Sequence, residues 1–589
     1  MHGPHDPILV LGGRWPSAAV ASEKRFRHIY GLLAAVVLCM LSAAAVGADT
    51  ASAPPDVLAE KLRARIMAAQ AANRLVCREE LVCGLAELPR FYALRHYRPA
   101  WVTERGASGL GEDLLREIEN ARRDGLQPQD YRFDILSRLL ETARLQAASG
   151  RPQDAELLAD LEFLLTDAFL MLGSHLAAGR VNPETLHSDW VVASLPGVSL
   201  SEALAAAVDS GEVAGALQGL RPPHPEYESL RHGLERYRDL EARGGWPQLP
   251  EKSAWSRGQD GEIAERLQRR LEISGDWAPG EGNGPADRLL FEALRRFQAR
   301  HGLGAGGRLD APTLAALNVP VRDRIRQIEL NLERWRWLPR DLGPRHIRVN
   351  VPDYSLQAIE EGRVALRMRV VVGRHYRRTP VFSSWMDHVV FNPDWNIPTR
   401  IAVEDILPRA RKDPGYIARQ KIRVFEDWSS TAAELDPAGI DWSQVTAGNF
   451  RYKLKKDPGA HNDLGRIKFM FPNKFSVYLH DTPSRQLFER SVRGFSSGCI
   501  RIEKPVDLAE YVLRGAPGWT GDAIRAAIDS GTRRTVALPR KIPLHLLYLT
   551  AWEDGQGELQ FRADLYQKDA ALDRALQKPP PRGTQAPAG

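Results

Sequence analysis

From about residue 56 the apolar positions recur every three or four residues. Asp56 precedes Leu58, Leu62 and Ile66, the start signal and stripe of an amphipathic helix. A stronger helix is predicted over 153–178, where Leu157, Leu158, Leu161, Leu164, Leu165, Ala168 and Leu172 make one broad face. Asp160, Glu162 and Asp167 lie in the same stretch and exclude a bilayer span. A smaller helical unit follows, with Ile263, Leu267 and Leu271 on one helix and Leu290, Ala293 and Phe297 on another. Gly-rich turns at 304–307 and a short helix at 312–317 complete it. The segment NLERWRWLP at 331–339 interleaves aromatics with arginines and reads as a packed helix between domains. From Ile347 the period drops to two: Ile347, Val349 and Val351, then Val364, Leu366, Met368, Val370 and Val372, alternate with mostly polar partners, as half-buried strands do. Strand patterns return at 387–391, 474–479 and 544–552, and helical signals with Pro and Gly interrupt them from about 400 to 463.

These patterns predict a multidomain chain. An α-helical domain occupies 49–250, a small helical module 255–320 and a linker helix 321–345. A mainly-β domain follows at 346–568, with an inserted subdomain at about 400–463, and a Pro-rich tail at 569–589 reads as disordered. The length of 589 residues fits several cores better than one, and 43% hydrophobic with 26% charged residues is an ordinary globular composition. Lys and Arg total 80 against 74 Asp and Glu, a net +6 spread over the whole chain, so nucleic acid is not the favoured partner. Lys24, Arg25, Arg27 and His28 precede an apolar run at 29–46 and small residues at 46–48. That is the layout of an export signal over 1–48, with a retained membrane anchor as the alternative. The cysteines at 39, 77, 83 and 499 form no CxxC pairs of the kind a structural zinc site uses. Cys77 and Cys83 are close enough in sequence to close a short loop by a disulfide, which leaves Cys499 as the odd thiol of an exported chain.

Two segments of the β-rich domain carry candidate chemistry: YLHDTP at 478–483 and FSSGCIRI at 495–502. If 476–479 is a strand, His480 stands where it meets a turn and can point into a cleft. Ser496, Ser497 and Gly498 make a small-residue loop whose backbone N–H groups could form an oxyanion hole beside Cys499. In extended chain Cys499 and Arg501 share one face, while Ile500 and Ile502 share the other. A thiol, an imidazole able to take its proton and a cation able to hold a carboxylate make a kit for acyl transfer. On spacing alone, a buried inert cysteine and a core histidine remain the alternative. Asp481 directly follows His480, so its side chain points away and a backbone carbonyl is the better orienter of the ring. Tyr478 and Trp395 are further candidates for lining the cleft.

The run Ser496-Ser497-Gly498-Cys499-Ile500-Arg501, with His480 upstream, resembles the catalytic motif of L,D-transpeptidases. VVFNPDWNIP at 389–398, DPGYIAR at 413–419 and NDLGRIKFMFPN at 462–473 extend the likeness. LRRFQARHGL at 294–303 and TLAALNVP at 313–320 resemble a peptidoglycan-binding domain. Together they are similar to the large, scaffold-bearing periplasmic branch of the family. Ser497 departs from the pattern, because many members carry a second histidine there.

The resemblance implies that Cys499 attacks the carbonyl between the third-position diamino acid and terminal D-alanine of a stem tetrapeptide. His480 is then the base, the Gly498 and Cys499 N–H groups hold the oxyanion, and Arg501, Tyr478, Ser497 and Trp395 contact substrate. It implies no metal or organic cofactor, a cleft capped by the 400–463 insertion, and reactivity toward carbapenems. Its expected partner is peptidoglycan, as donor and acceptor stems, in the periplasm, with inner-membrane association if the signal is retained. The alternatives are a carboxypeptidase or a protein-anchoring enzyme using the same site, or a non-catalytic wall-binding scaffold.

Overall fold

The computed structural model describes residues 57–580, apart from 104, 151, 193–198 and 278–285. The expected signal at 1–48 lies outside the described residues. Among the described residues no helix is long and apolar enough to cross a membrane.

Helix α1 (Ala155–Ala178) is the axis of the helical domain and is buried over most of its length. Its acids are tolerated because each is satisfied. Glu162 accepts the backbone N–H of Ala100 and Trp101 at 2.6 and 2.8 Å and the Tyr92 hydroxyl at 2.9 Å. Asp167 pairs with Arg132 at 2.8 Å. The helices Val57–Ala72, Phe133–Ala148 and Leu200–Ser210 pack around it. Val76–Cys77 and Glu80–Leu81 form a short hairpin at its side, and both Cys77 and Cys83 are free thiols.

The cores cut across the sequence blocks. Helix α2 (Pro225–Ala242) packs Tyr227, Leu230 and Leu234 against α3 (Val321–Arg336) and the hairpin Ala551–Glu553 with Leu559–Phe561. The arginines of NLERWRWLP are internal ties. Trp335 is 1% exposed, and the Glu333 carboxylate accepts the Arg180 and Val181 N–H groups at 2.6 and 2.8 Å. Arg336 pairs with Glu333 and donates to the Asp124 carbonyl. The module between them has helices Glu262–Ile273, Ala286–Arg300 and Ala311–Leu317 around Leu267, Leu271, Leu294 and Leu317.

The β-rich domain is a barrel. Its strands are β1 (Arg345–Asn350), β2 (Ser355–Glu360), β3 (Arg363–Gly373), β4 (Phe382–Phe391), β5 (Ile467–Met470), β6 (Leu479–His480), β7 (Gly494–Ser496), β8 (Ile500–Ile502) and β9 (Arg534–Leu547). They pair in the order β3-β8-β6-β5-β4-β9-β1-β2, and β2 returns to β3, so eight strands close a ring while β7 adds alongside β3. Eight strands leave an interior that side chains fill. Val349, Leu356, Val370, Val389, Phe469, Leu479, Ile500 and Leu544 belong to that core. Between β4 and β5 the chain leaves the barrel to build a separate four-stranded sheet, in the order Glu434–Leu435, Arg423–Phe425, Lys453–Lys456, Trp395–Ile397. This sheet has its own core of Ile406, Ile417, Val424, Trp442 and Leu454.

Three sequence expectations need correction. The strand expected at 474–479 is only Leu479–His480, because Ser476 adopts φ +55° and Asn473 accepts the Phe475 and Val477 N–H groups, which folds the preceding residues into a loop. The strand expected at 544–552 is two elements, since β9 ends at Leu547 and Ala551–Glu553 turns back into a hairpin. The tail expected to be disordered from 569 opens with helix α4 (Asp569–Leu576), whose Leu572 is buried and whose Asp569 and Asp573 pair with Arg334 and Arg326 of α3.

Candidate active site

The register of β6 and β8 determines which groups meet. They run parallel with Leu479 opposite Ile500 and His480 opposite Arg501, which puts Tyr478 level with Cys499. Ile500 and Ile502 are fully buried in the barrel, so Cys499 and Arg501 face outward together. On the other side of β6, Lys468 of β5 lies opposite His480, and its ammonium sits 3.8 Å from the centre of the Tyr478 ring. These residues open into a cleft of about 750 Å³ between the barrel and the inserted sheet, with Trp395 on the insertion side.

Tyr478 supplies the closest polar support for the thiol. Its backbone N–H and its phenol act as donors toward the Cys499 sulfur, and its carbonyl accepts the Ile500 N–H at 3.1 Å. The Trp395 indole acts in turn as a donor toward the Tyr478 oxygen. Burial pushes the Cys499 thiol up, while the Tyr478 donors and the Lys468 and Arg501 cations pull it down. The same burial lowers Lys468 and Arg501, whose positive charges are also costly there. The Arg501 Nε is buried and unpartnered, and among the described residues Arg501 makes no ion pair. A guanidinium left open in this way is a ready partner for a carboxylate.

His480 is 4% exposed, and burial, with Arg501 next, lowers its pKa to about 3, so the ring is neutral near pH 7. Its Nδ1 lies 2.6 Å from the Asp481 carbonyl, a contact that requires an N–H, so Nε2 is the basic nitrogen. The Asp481 and Leu464 carbonyls both favour the protonated ring. The Asp481 carboxylate faces elsewhere, accepting the Arg466 N–H at 2.8 Å. His480 and Cys499 are thus on neighbouring strands, two positions apart along them, and the hydrogen bonds of each go to other groups.

The loop before Cys499 departs from expectation. Gly498 holds φ +118°, but its N–H donates to the Ser496 hydroxyl at 3.1 Å, which itself donates to the Cys499 carbonyl. One of the two expected oxyanion donors is therefore committed to shaping the turn, leaving the Cys499 N–H as the backbone candidate. Ser497 is exposed, and its hydroxyl accepts from Arg377 at 2.8 Å. Arg377 also pairs with Glu404 and Asp405 of the insertion, where the wide turn Ala402–Ile406 lets two consecutive acids reach one guanidinium.

Sequence reasoning missed Lys468 and Arg377. Lys468 had a signal, since the buried Ile467 and Phe469 on either side place it on the outer face of a strand. Arg377 had none, because its partners lie 27, 28 and 120 residues away.

Three family models match. Residues 86–234 match a scaffold domain, 260–317 a "Putative peptidoglycan binding domain", and 344–519 the L,D-transpeptidase catalytic domain. It is residues 344–519 that are similar to an L,D-transpeptidase. A protein of Haemophilus influenzae described as "Putative L,D-transpeptidase" is 36% identical over 249 residues, 42% of this chain and 49% of that one. The chain thus matches about half the length of that curated relative. Its likeness to a crystal structure of an L,D-transpeptidase (residues 123–326) from Xylanimonas cellulosilytica covers 51% of this chain and all of that one, at 14% identity and a TM-score of 0.15, too low to bear on the fold. The barrel, the inserted sheet and the cleft all begin inside the matched residues 344–519.

Proposed function

We propose that the protein is a peptidoglycan L,D-transpeptidase that joins third-position residues of two stem peptides through a thioester on Cys499. The observation that carries this reading is a thiol supported by the donors of Tyr478 and flanked by two cations, Lys468 and Arg501, that make no ion pair among the described residues, in a cleft large enough for a peptide. Stem peptides carry carboxylates, and Arg501 holds one of them bidentately while the scissile carbonyl lies over Cys499. His480, neutral at rest, accepts the thiol proton at Nε2 as the C–S bond forms. It then returns that proton to the departing D-alanine amine. The Asp481 and Leu464 carbonyls stabilise the ring while it is charged. The Cys499 N–H and the Tyr478 hydroxyl stabilise the oxyanion. The inserted sheet covers the cleft, and Arg377 ties it to the nucleophile loop, which limits the access of water to the thioester. The matches to a scaffold domain and a peptidoglycan-binding domain support a location at the cell envelope.

The test compares the chain with Cys499→Ala on a purified disaccharide tetrapeptide, followed by mass spectrometry. A dimer formed with loss of one D-alanine, and absent in the variant, is the expected result. A drop of about a thousandfold or more is the scale for loss of a nucleophile. Tripeptide without dimer selects the carboxypeptidase. The same yield from both proteins removes Cys499 from the chemistry.

A further inference from the structure

One row of residues across β5, β6 and β8 holds a lysine, a histidine and an arginine. Lys468 lies opposite His480 in the antiparallel pair, and His480 lies opposite Arg501 in the parallel one. Their neighbours Ile467, Phe469, Leu479, Ile500 and Ile502 are buried in the barrel, so all three side chains stand on its outer face and line the cleft. Neighbouring strands are about 4.8 Å apart, so the imidazole is bracketed by a cation on each side.

Lys468 is half-buried, its ammonium lies 3.8 Å from the centre of the Tyr478 ring, and among the described residues it makes no hydrogen bond or ion pair. The acid that acts on it, Asp394, is taken by Arg533 at 2.9 Å and by Lys455 at 3.5 Å. Burial lowers Lys468, the direction expected of a cation without a counterion.

The leaving group brings such a counterion. The amine that receives the proton from His480 carries a carboxylate on its own α-carbon, so a carboxylate oxygen lies within about 4 Å of the nitrogen. With that nitrogen facing Nε2 of His480, the carboxylate falls beside the ring, in the row of cations. We infer that Lys468 is a specificity-determining residue that holds the terminal carboxylate of the departing amino acid, leaving Arg501 for a carboxylate on the acyl side of the donor. The inference rests on the transpeptidase reading. A compact ammonium on a flexible stem keeps its contact as the leaving group moves off, whereas the planar fork of an arginine suits a carboxylate that stays. In the step, sulfur forms the C–S bond as the C–N bond breaks, and the proton that His480 took from the thiol passes to the departing nitrogen. Burial first, then Arg501 and Lys468, disfavour the charged ring. The bound carboxylate offsets part of that repulsion, so His480 is a better base when a donor is present.

The test uses the full chain and two donors, the disaccharide tetrapeptide and the same compound ending in D-alaninamide, which lacks the terminal charge. Calorimetry reads their binding in a Cys499→Ala background, and mass spectrometry reads the rate of acyl-enzyme formation in proteins that keep Cys499. With Lys468 present the free acid is preferred at least about tenfold, the scale of one hydrogen bond to a charged group. Lys468→Met, which keeps the stem and removes the charge, brings both ratios to near one, and Lys468→Arg keeps most of the preference. Each ratio compares two donors on one protein, so a smaller folded fraction does not move it, and the binding ratio is readable even where acylation is lost. A preference that survives Lys468→Met, or none with Lys468 in place, overturns the assignment. Failure of the unaltered chain to form acyl-enzyme from the free acid is a different result, which removes the transpeptidase reading and this inference with it.

Discussion

Two shielded cysteines, Cys77 in the helical domain and Cys499 at the barrel rim, show that burial does not decide what a thiol does. Cys77 is 1% exposed, and burial pushes its pKa up to about 12. Arg65 lowers it, while Asp160 and Asp167 raise it further. Burial raises Cys499 as well, but Tyr478, Lys468 and Arg501 all favour its thiolate. Two acids and the Arg65 guanidinium, which donates to the sulfur at 3.2 Å, surround Cys77, whereas the charges acting on Cys499 are all cations. Each region also holds a neutral histidine beside a tyrosine, the half-buried His175 with Tyr131 and the buried His480 with Tyr478, both lowered to about 3 chiefly by desolvation. What separates the two thiols is therefore the charges and donors around the sulfur.

The largest break of this contrast is Lys468→Glu, which gives Cys499 an acid of the kind that faces Cys77. The pH midpoint for alkylation of Cys499 should rise by about one unit or more, and acylation by donor should fall in step. Peptide mapping after a pH series of alkylation reads this, with Cys83 as internal control. An unmoved midpoint would mean that Lys468 does not influence the thiolate.

Tyr478→Phe sharpens the contrast with less force. It removes the phenol donor and keeps the backbone N–H and the ring under Lys468. At the low end of what a hydrogen bond to a charged group contributes, about 1.5 kcal/mol, acylation should slow by roughly tenfold while binding of the donor changes little. A rise in KM with kcat intact would instead make Tyr478 a substrate contact.

Much of this was legible in the chain. The change from helical period to alternation at Ile347 marked the barrel, and the facing of Cys499 and Arg501 against Ile500 and Ile502 held because β8 is regular. What was not legible depends on contacts distant in sequence. The helix α4 has a Pro-rich sequel and little local signal, and it is held by arginines more than 230 residues earlier. The Gly498 N–H looked available because nothing in Ser-Ser-Gly-Cys announces that the first serine will fold back on it. Tyr478 read as a strand residue, yet its meeting with Cys499 depends on the parallel register of β6 and β8.

The histidines give the smallest effect and the cleanest division between the two regions. A histidine whose folded pKa is about 3 stays neutral in the native state while its unfolded form, near 6.5, takes up a proton. Between those values the unfolded chain binds more protons, so each ring removes stability as pH falls from about 6.5 toward 3. Glu162 acts oppositely: burial raises its pKa to about 7, so the native state binds the extra proton and stability falls as pH rises between its usual 4.5 and 7. His175→Gln and His480→Gln should each flatten the acid side of a plot of Tm against pH, by similar amounts. Only His480→Gln should also remove acylation. Thermal unfolding from pH 4 to 7, with donor acylation measured at pH 7, checks both. A flattened slope with His175→Gln and none with His480→Gln would mean that the His480 ring takes up its proton alike in the native and unfolded states, so that burial does not hold it neutral below pH 6.5.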